Sequence, residues 1–257
     1  MMGSAIAKDM ARSHEVSEVV VGDLDRNRVD YLVRAIASEK VSGVRVDVTD
    51  QTGLAQLMKG FNVATAALPH EISIYASKAA VKAGVHLVDL AYDEKVWELD
   101  EPAKKAGVTL IPGCGVAPGL TNILAGVGVN LLDEVDEVRL ICGGIPQRPV
   151  PPLGYRIVFS PQTLVDMYCR RARIIRDGEV VEVETLSGLE RIHFPGLGEL
   201  EAFYTDGLST LLRTMRGRVR NMYEKTARWP GHAEKIETLR RLGFFDEEPI
   251  QVDGVNV

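Results

Sequence analysis

Gly3 and Asp23 stand about 20 residues apart, with a helix-like opening and an apolar, β-branched run between them. In a dinucleotide fold the last glycine of G-x-G-x-x-G lets a helix pack closely on a strand. An acidic residue about 20 positions on then hydrogen-bonds the adenine ribose hydroxyls. Either residue alone serves as often as a cap or a turn; helix, apolar strand and Asp in that order point to dinucleotide binding. A carboxylate at that position repels a ribose phosphate, so NAD is expected rather than NADP. Asp47, Leu68 and Pro69 close the next two apolar runs, and Gly115, Pro118 and Gly119 lie in a glycine-rich loop where backbone can approach a ligand; these complete the expected cofactor contacts.

Two further groups sit where strands end. Leu68-Pro69-His70 follows the run Val63–Leu68, and Asp89-Leu90-Ala91-Tyr92 follows His86–Asp89, placing His70, Asp89 and Tyr92 at the rim where doubly wound sheets bind ligands. His70 could equally be a helix-entry residue before Glu71, and Asp89 a loop cap. Cys114 in the glycine-rich loop reads as a packed small residue, because no chemistry here needs a nucleophile.

The elements that must hold these groups alternate. Strand-like runs Glu18–Gly22, Gly43–Val46, Val63–Leu68, His86–Asp89 and Thr109–Ile111 are separated by helix-period segments Arg26–Ser38, Thr52–Met58, Ile72–Ala83 and Lys95–Ala106. That is the pattern of a parallel sheet with crossover helices. Gly84 and Gly107 stand where helix C-terminal caps belong. A helix from about Pro118 to Leu131 leads into Glu137–Cys142 and a proline-rich loop, Pro146 to Pro152. Beyond it strands dominate: Asp177-Gly178 is a hairpin turn between Arg173–Arg176 and Glu179–Glu184, with Arg191–Phe194 and Leu200–Tyr204 following. Ser160-Pro161 opens a short helix and His232–Leu242 forms a later one. The fold class is therefore α/β: a Rossmann-like parallel sheet in a dinucleotide-binding domain, residues 1–132, and a second α+β domain with an antiparallel sheet, residues 133–257. The first strand and the two leading glycines of the dinucleotide turn would lie before Met1, so the parallel sheet is expected to lack its central strand.

Composition excludes several functions. A chain of 257 residues with a formal net charge of -6 lacks the dense positive field that nucleic acid requires. The basic clusters Arg170 to Arg176 and Arg213 to Arg220 have no interleaved stacking aromatics and read as solvated or subunit-contacting faces. Three unpaired cysteines suit a cytoplasmic protein, and no apolar run reaches membrane-spanning length. His86, His193 and His232 are isolated in sequence, so no metal site is expected.

Six stretches carry a resemblance: Met1-Met2-Gly3; Gly84-Val85-His86-Leu87-Val88-Asp89-Leu90; Gly113-Cys114-Gly115-Val116-Ala117-Pro118-Gly119; Gly143-Gly144-Ile145-Pro146; Leu200-Glu201-Ala202-Phe203; and Tyr223-Glu224-Lys225-Thr226-Ala227-Arg228-Trp229-Pro230-Gly231-His232. By these the chain resembles the saccharopine dehydrogenase-like family, and within it the lysine 6-dehydrogenases. The resemblance implies NAD-dependent oxidation of the terminal amine of lysine or a related amino acid, a substrate site between two domains, and a homodimer formed through the second domain. It also implies roles. A lysine-type amine has a pKa of about 10.4 and must lose a proton before hydride can leave, which makes His70 or Asp89 the expected base. Arg228 and His232 are the expected holders of the substrate carboxylate, with Glu201 and Tyr204 near its amine. An arginine before a helix is otherwise more often a surface charge. A catalytically inert nucleotide-binding or assembly module, and a reductase of a saccharopine-type or carboxynorspermidine-type imine, are the competing readings.

Overall fold

Chain contacts in the computed structural model, which describes residues 2–246, 248 and 251–256, separate into two units, Met1–Gly115 and Val116–Val257. Met1 of the first resembling stretch lies outside the described residues.

The first unit alternates helix and strand as its periodicity requires: α1 (Met2–Arg12), β1 (Val19–Asp23), α2 (Arg26–Ile36), β2 (Val41–Arg45), α3 (Gln51–Met58), β3 (Val63–Ala66), α4 (His70–Ala83), β4 (His86–Asp89), a 3-10 segment (Glu94–Leu99), α5 (Asp100–Ala106) and β5 (Leu110–Ile111). The single helix expected over Lys95–Ala106 is thus a 3-10 segment followed by a short α-helix. Aspartates start α2 and α3: Asp25 accepts from Asn27 N, and Asp50 from Thr52 N and Gly53 N. Gly84 and Gly107 end α4 and α5 in the left-handed conformation. At Gly43 a Cβ would lie 2.2 Å from Val29 Cγ1, so only glycine lets α2 pack this closely on β2.

All strands of this unit run parallel, in two sheets: β1-β2, and β3-β4-β5. β1 and β3 do not pair with each other. Small residues of α4, among them Ala76 and Ala80, pack with Ala66 and Leu87, while Ala79 joins Leu54 and Ala55 of α3 in a second apolar cluster.

The second unit opens with α6 (Leu120–Leu131), whose Ala125 and Val129 pack with Leu140, Ile175, Leu208 and Met222. Those contacts put α6 with the second unit, which begins at Val116. Then come β6 (Glu137–Cys142), α7 (Pro161–Cys169), β7 (Ala172–Arg176), β8 (Glu179–Val183), β9 (Glu190–Phe194), β10 (Gly198–Tyr204), α8 (Leu211–Thr214), β11 (Asn221–Arg228) and α9 (His232–Arg241). The sheet runs β8-β7-β11-β10-β9, with β6 also on β11. It is antiparallel except for the β6–β11 pair. Asp177 and Gly178 both adopt positive φ, as a two-residue hairpin with the strands' twist demands.

The central strand, β11, is absent from the sequence reading. Glu224, Lys225 and Arg228 interrupt its apolar pattern, yet all three are buried. Charged residues in a buried strand break the rule on which strand recognition rests, and such breaks mark functional or strained sites.

Candidate functional site

In the first unit the sequence-expected residues gather at the carboxyl ends of parallel strands. Asp23 closes β1, where its Oδ1 accepts from Asp25 N at 2.9 Å. Asp47, in the turn after β2, accepts from Thr49 N and Thr49 Oγ1, bonds that hold its carboxyl below the usual range. Leu68 and Pro69 form the β3–α4 loop, and His70 is the exposed first residue of α4. A Cβ at Gly3 would lie 3.6 Å from Ala67 Cβ, so α1 begins beside this same loop. Asp23 keeps a carboxylate at the strand end, an acceptor to which ribose hydroxyls could donate.

Asp89 is buried, 3% exposed, and both its oxygens are engaged: Ser73 Oγ donates to Oδ2, and Ala91 N to Oδ1 at 2.9 Å. Burial raises its pKa, against the lowering effect of those bonds and of His70. Its carbonyl accepts from Cys114 N at 2.7 Å, tying the start of the glycine-rich loop to β4. Its carboxylate is enclosed and held by hydrogen bonds from Ser73 and Ala91. Tyr92 accepts from Trp97 Nε1 at 2.9 Å.

In the glycine-rich loop, Gly115 ends the first unit, Pro118 follows a cis peptide, and Gly119 has φ 137°, open to glycine alone. Gly119 N donates to Asn122 Oδ1, and Asn122 Nδ2 donates to Leu208 O at 2.8 Å. Asn122, unremarked in the sequence, therefore locks the end of the loop.

The second unit holds a buried polar seam on one face of its sheet. Residues directly opposite in neighbouring strands share a face. Glu201 stands opposite Arg228, Phe203 opposite Thr226, and Cys142 opposite Thr226 on the other side. Alternation puts Glu224 on that face too. The seam separates two apolar clusters, one around Met222 and Leu208 and the other around Phe203 and Tyr168.

Arg228 is 2% exposed. Its Nη1 donates to Ala227 O, its Cζ lies 4.7 Å from the centre of the Tyr155 ring, and its Nε has no partner. A buried guanidinium with an unused N–H is a place prepared for an anion, because leaving such a donor unpaired is costly.

Three neighbours named with Arg228 have these surroundings. Glu201 accepts from Gly231 N at 2.8 Å and Ala233 N at 2.6 Å. It caps α9 from a different element, with each oxygen accepting one backbone hydrogen bond. His232, 1% exposed, has Nδ1 on Leu153 O at 2.8 Å and Nε2 on Tyr168 Oη at 2.7 Å, which leaves neither nitrogen for a substrate. Tyr204 lies on the opposite face, edge-on to Tyr223 at 5.4 Å and 4.7 Å from Lys225 Nζ. Lys225 in turn bonds Gly188 O and Glu190 Oε1.

Glu224 escaped the sequence reading although it lies in a quoted motif. It is 5% exposed and its Oε2 has no partner. Burial and the nearby Asp206 push its pKa up to about 7, against the pull of Arg170 and Arg228. Tyr168 was missed because its spacing with Leu164 on α7 is that of ordinary core. A hollow of about 400 Å³ beside α6, lined by Val129, Leu132, Asp133, Glu134, Val135 and Arg218, contains none of the candidate residues. Among the described residues no cluster of His, Cys, Asp and Glu could hold a metal, and no helix is long and apolar enough to cross a membrane.

Residues 115–255 match the family model described as the saccharopine dehydrogenase C-terminal domain, and residues 1–111 match the saccharopine dehydrogenase NADP binding domain. The chain belongs to the saccharopine dehydrogenase family. Within that family it is 25% identical to the NADP(+), L-glutamate-forming saccharopine dehydrogenase of Schizosaccharomyces pombe, over 86% of this chain and 51% of that protein. It is 22% identical to the carboxyaminopropylagmatine dehydrogenase of Synechocystis sp., over 100% of this chain and 67% of that protein. The chain spans about half the length of the curated saccharopine dehydrogenases of fission and budding yeast. Apo saccharopine dehydrogenase (L-Glu forming) from Saccharomyces cerevisiae has the same fold, with a TM-score of 0.79 at 19% identity over 97% of this chain and 58% of that one.

Proposed function

We propose that this saccharopine dehydrogenase-family chain serves an NAD-linked oxidation at the carbon bearing the terminal amine of lysine or a related amino acid. The observation that carries the reading is Arg228: a buried guanidinium with an unpartnered Nε, beside a tyrosine ring, suited to an α-carboxylate. NAD supplies the hydride acceptor. The S. pombe and S. cerevisiae relatives carry NADP(+) in their names. In this chain Asp23 and Asp25 put two carboxylates at the β1–α2 turn, where a ribose phosphate would meet like charge, and NAD is the nucleotide we assign.

The reaction needs three services from the protein. Arg228 holds the carboxylate. A base must take a proton from the substrate ammonium, freeing the nitrogen lone pair that stabilises the developing iminium as hydride departs from carbon; in the first unit His70 is the exposed residue we assign to it. Asp89, fixed by Ser73 and Ala91, orients the rim beside it. Water then adds to the iminium carbon to give aldehyde and ammonium, or the substrate's own α-amine closes a ring. Purified protein mixed with NAD and L-lysine should develop reduced-nicotinamide absorbance, more strongly than with NADP. Absence of any reduction with either nucleotide, across lysine and saccharopine, rejects the assignment.

A second reading draws on one observation: β1 and β3 do not pair with each other, so the parallel strands form two separate sheets. On that reading the chain is a catalytically inert nucleotide-binding or assembly module. Titration calorimetry with NAD separates the two, since tight binding counts against inertness. We assign the protein to the cytoplasm and to a homodimer, which sedimentation of the purified chain would test.

A further inference from the structure

We propose that Tyr155 is a substrate-binding residue whose hydroxyl donates to the same carboxylate that Arg228 holds. This rests on the amino-acid reading above and adds a second donor to it.

The proline-rich segment between β6 and α7 delivers this tyrosine. Side chains of the β11–α9 turn and of α9 fasten the segment by its backbone: Trp229 Nε1 donates to Pro146 O at 2.9 Å, His232 Nδ1 lies 2.8 Å from Leu153 O, and Lys235 Nζ donates to Pro152 O at 2.6 Å. Gly154 turns the chain at φ 67°, where a Cβ would stand 3.4 Å from Trp229 Cβ. Tyr155 comes next, its N donating to Val150 O at 3.2 Å. The segment is thus tied to residues that directly follow Arg228 in the chain, and the Tyr155 ring is set against the guanidinium, 4.7 Å from Cζ.

Two donors are unused at that contact. Tyr155 is 8% exposed and its Oη has no hydrogen-bond partner; Arg228 has none at Nε. Burial pushes the Tyr155 pKa up, against the pull of the Arg228 charge and the Val158 backbone, so the phenol keeps its proton at neutral pH and can donate. A carboxylate brings two acceptor oxygens, one for the guanidinium N–H and one for the O–H, and relieves both unpaired donors together. The hydroxyl is a rigid part of the ring that touches the guanidinium. Both donors are therefore in place before the ligand arrives, which lowers the ordering cost of binding. A ligand without a carboxylate leaves them unpaired, so the two residues select an amino acid over the corresponding amine.

The test compares wild type with Tyr155→Phe, which keeps the ring on the guanidinium and removes one hydroxyl. In calorimetric titrations with NAD present, the variant should bind L-lysine about tenfold more weakly and 1,5-diaminopentane, the same chain without a carboxylate, as wild type does. Equal lysine affinity in the two proteins, or an equal loss for both ligands, overturns the proposal. The variant should unfold at a urea midpoint no lower than wild type, because the hydroxyl has no partner within the fold; a lower midpoint also overturns it. If wild type binds no lysine, the amino-acid reading fails, and propionate, which offers only a carboxylate, decides the role of Tyr155 alone. The nitrogen-15 signal of Arg228 Nε should then shift with propionate in wild type and need about tenfold more in the variant. No shift, or the same response in both proteins, refutes the second donor.

Discussion

Glu201 and Arg228 stand directly opposite each other in the β10–β11 register, each 2% exposed, yet the carboxylate turns away from the guanidinium to cap α9 through Gly231 N and Ala233 N. Opposite charges at facing strand positions ordinarily pair. Here the helix amides satisfy Glu201, and Arg228 Nε is left without a partner. The same cap sets the start of α9, so one glutamate both builds the helix and leaves the arginine unneutralised.

If Arg228 anchors a carboxylate as proposed, replacing it should lower ligand affinity before it disturbs the fold. Arg228→Lys keeps the charge and loses the planar fork, and should weaken L-lysine binding by roughly 2 kcal/mol, about thirtyfold, in titration calorimetry. Full retention of affinity would dismiss Arg228 as the carboxylate anchor.

Glu201→Ala should act on stability. Loss of a cap that serves two backbone amides costs about 1–2 kcal/mol, read as a lower urea midpoint at unchanged slope. Glu201→Gln, which keeps an acceptor, should lie between that variant and wild type.

Glu224 gives the protein a pH-dependent stability of defined sign. An unfolded chain ionises this carboxyl near 4.5, whereas burial beside Asp206 delays ionisation to about 7 in the folded state. Between those values the folded form holds more protons, so stability falls as pH rises from about 4.5 to 7, by up to roughly 3 kcal/mol, and is level above. Glu224→Gln imitates the protonated form and should flatten that part of the profile. A slope unchanged by the substitution would contradict the raised pKa.

Gly207 and Gly128 make a paired test of the seam's packing. A Cβ at Gly207 would lie 1.1 Å from Glu224 Oε2, while one at Gly128 in α6 meets nothing within 4 Å. Gly207→Ala should destabilise by about 1–3 kcal/mol through overpacking. Gly128→Ala should stabilise by about 0.5–1 kcal/mol, because glycine costs entropy inside a helix. Equal effects at the two sites would mean that the seam yields.

The first unit was largely legible in the residues. Its apolar runs fall close to β1 through β5, its helices end at Gly84 and Gly107, and Asp23 lies at the strand end that its spacing implies. Asp177-Gly178 marked the β7–β8 hairpin for the same reason: periodicity, caps and turn chemistry are local, and each is written within a few consecutive residues. Only the tertiary structure decided the rest. It made the charged stretch Asn221–Arg228 a central strand, gave Glu201 and His232 internal hydrogen bonds, enclosed Asp89, and raised the pKa of Glu224. What a charged or polar side chain does depends on which distant groups reach its atoms and how far water is excluded from them. Those partners, Gly231 for Glu201, Leu153 for His232, Ser73 for Asp89 and Asp206 for Glu224, are brought together by folding.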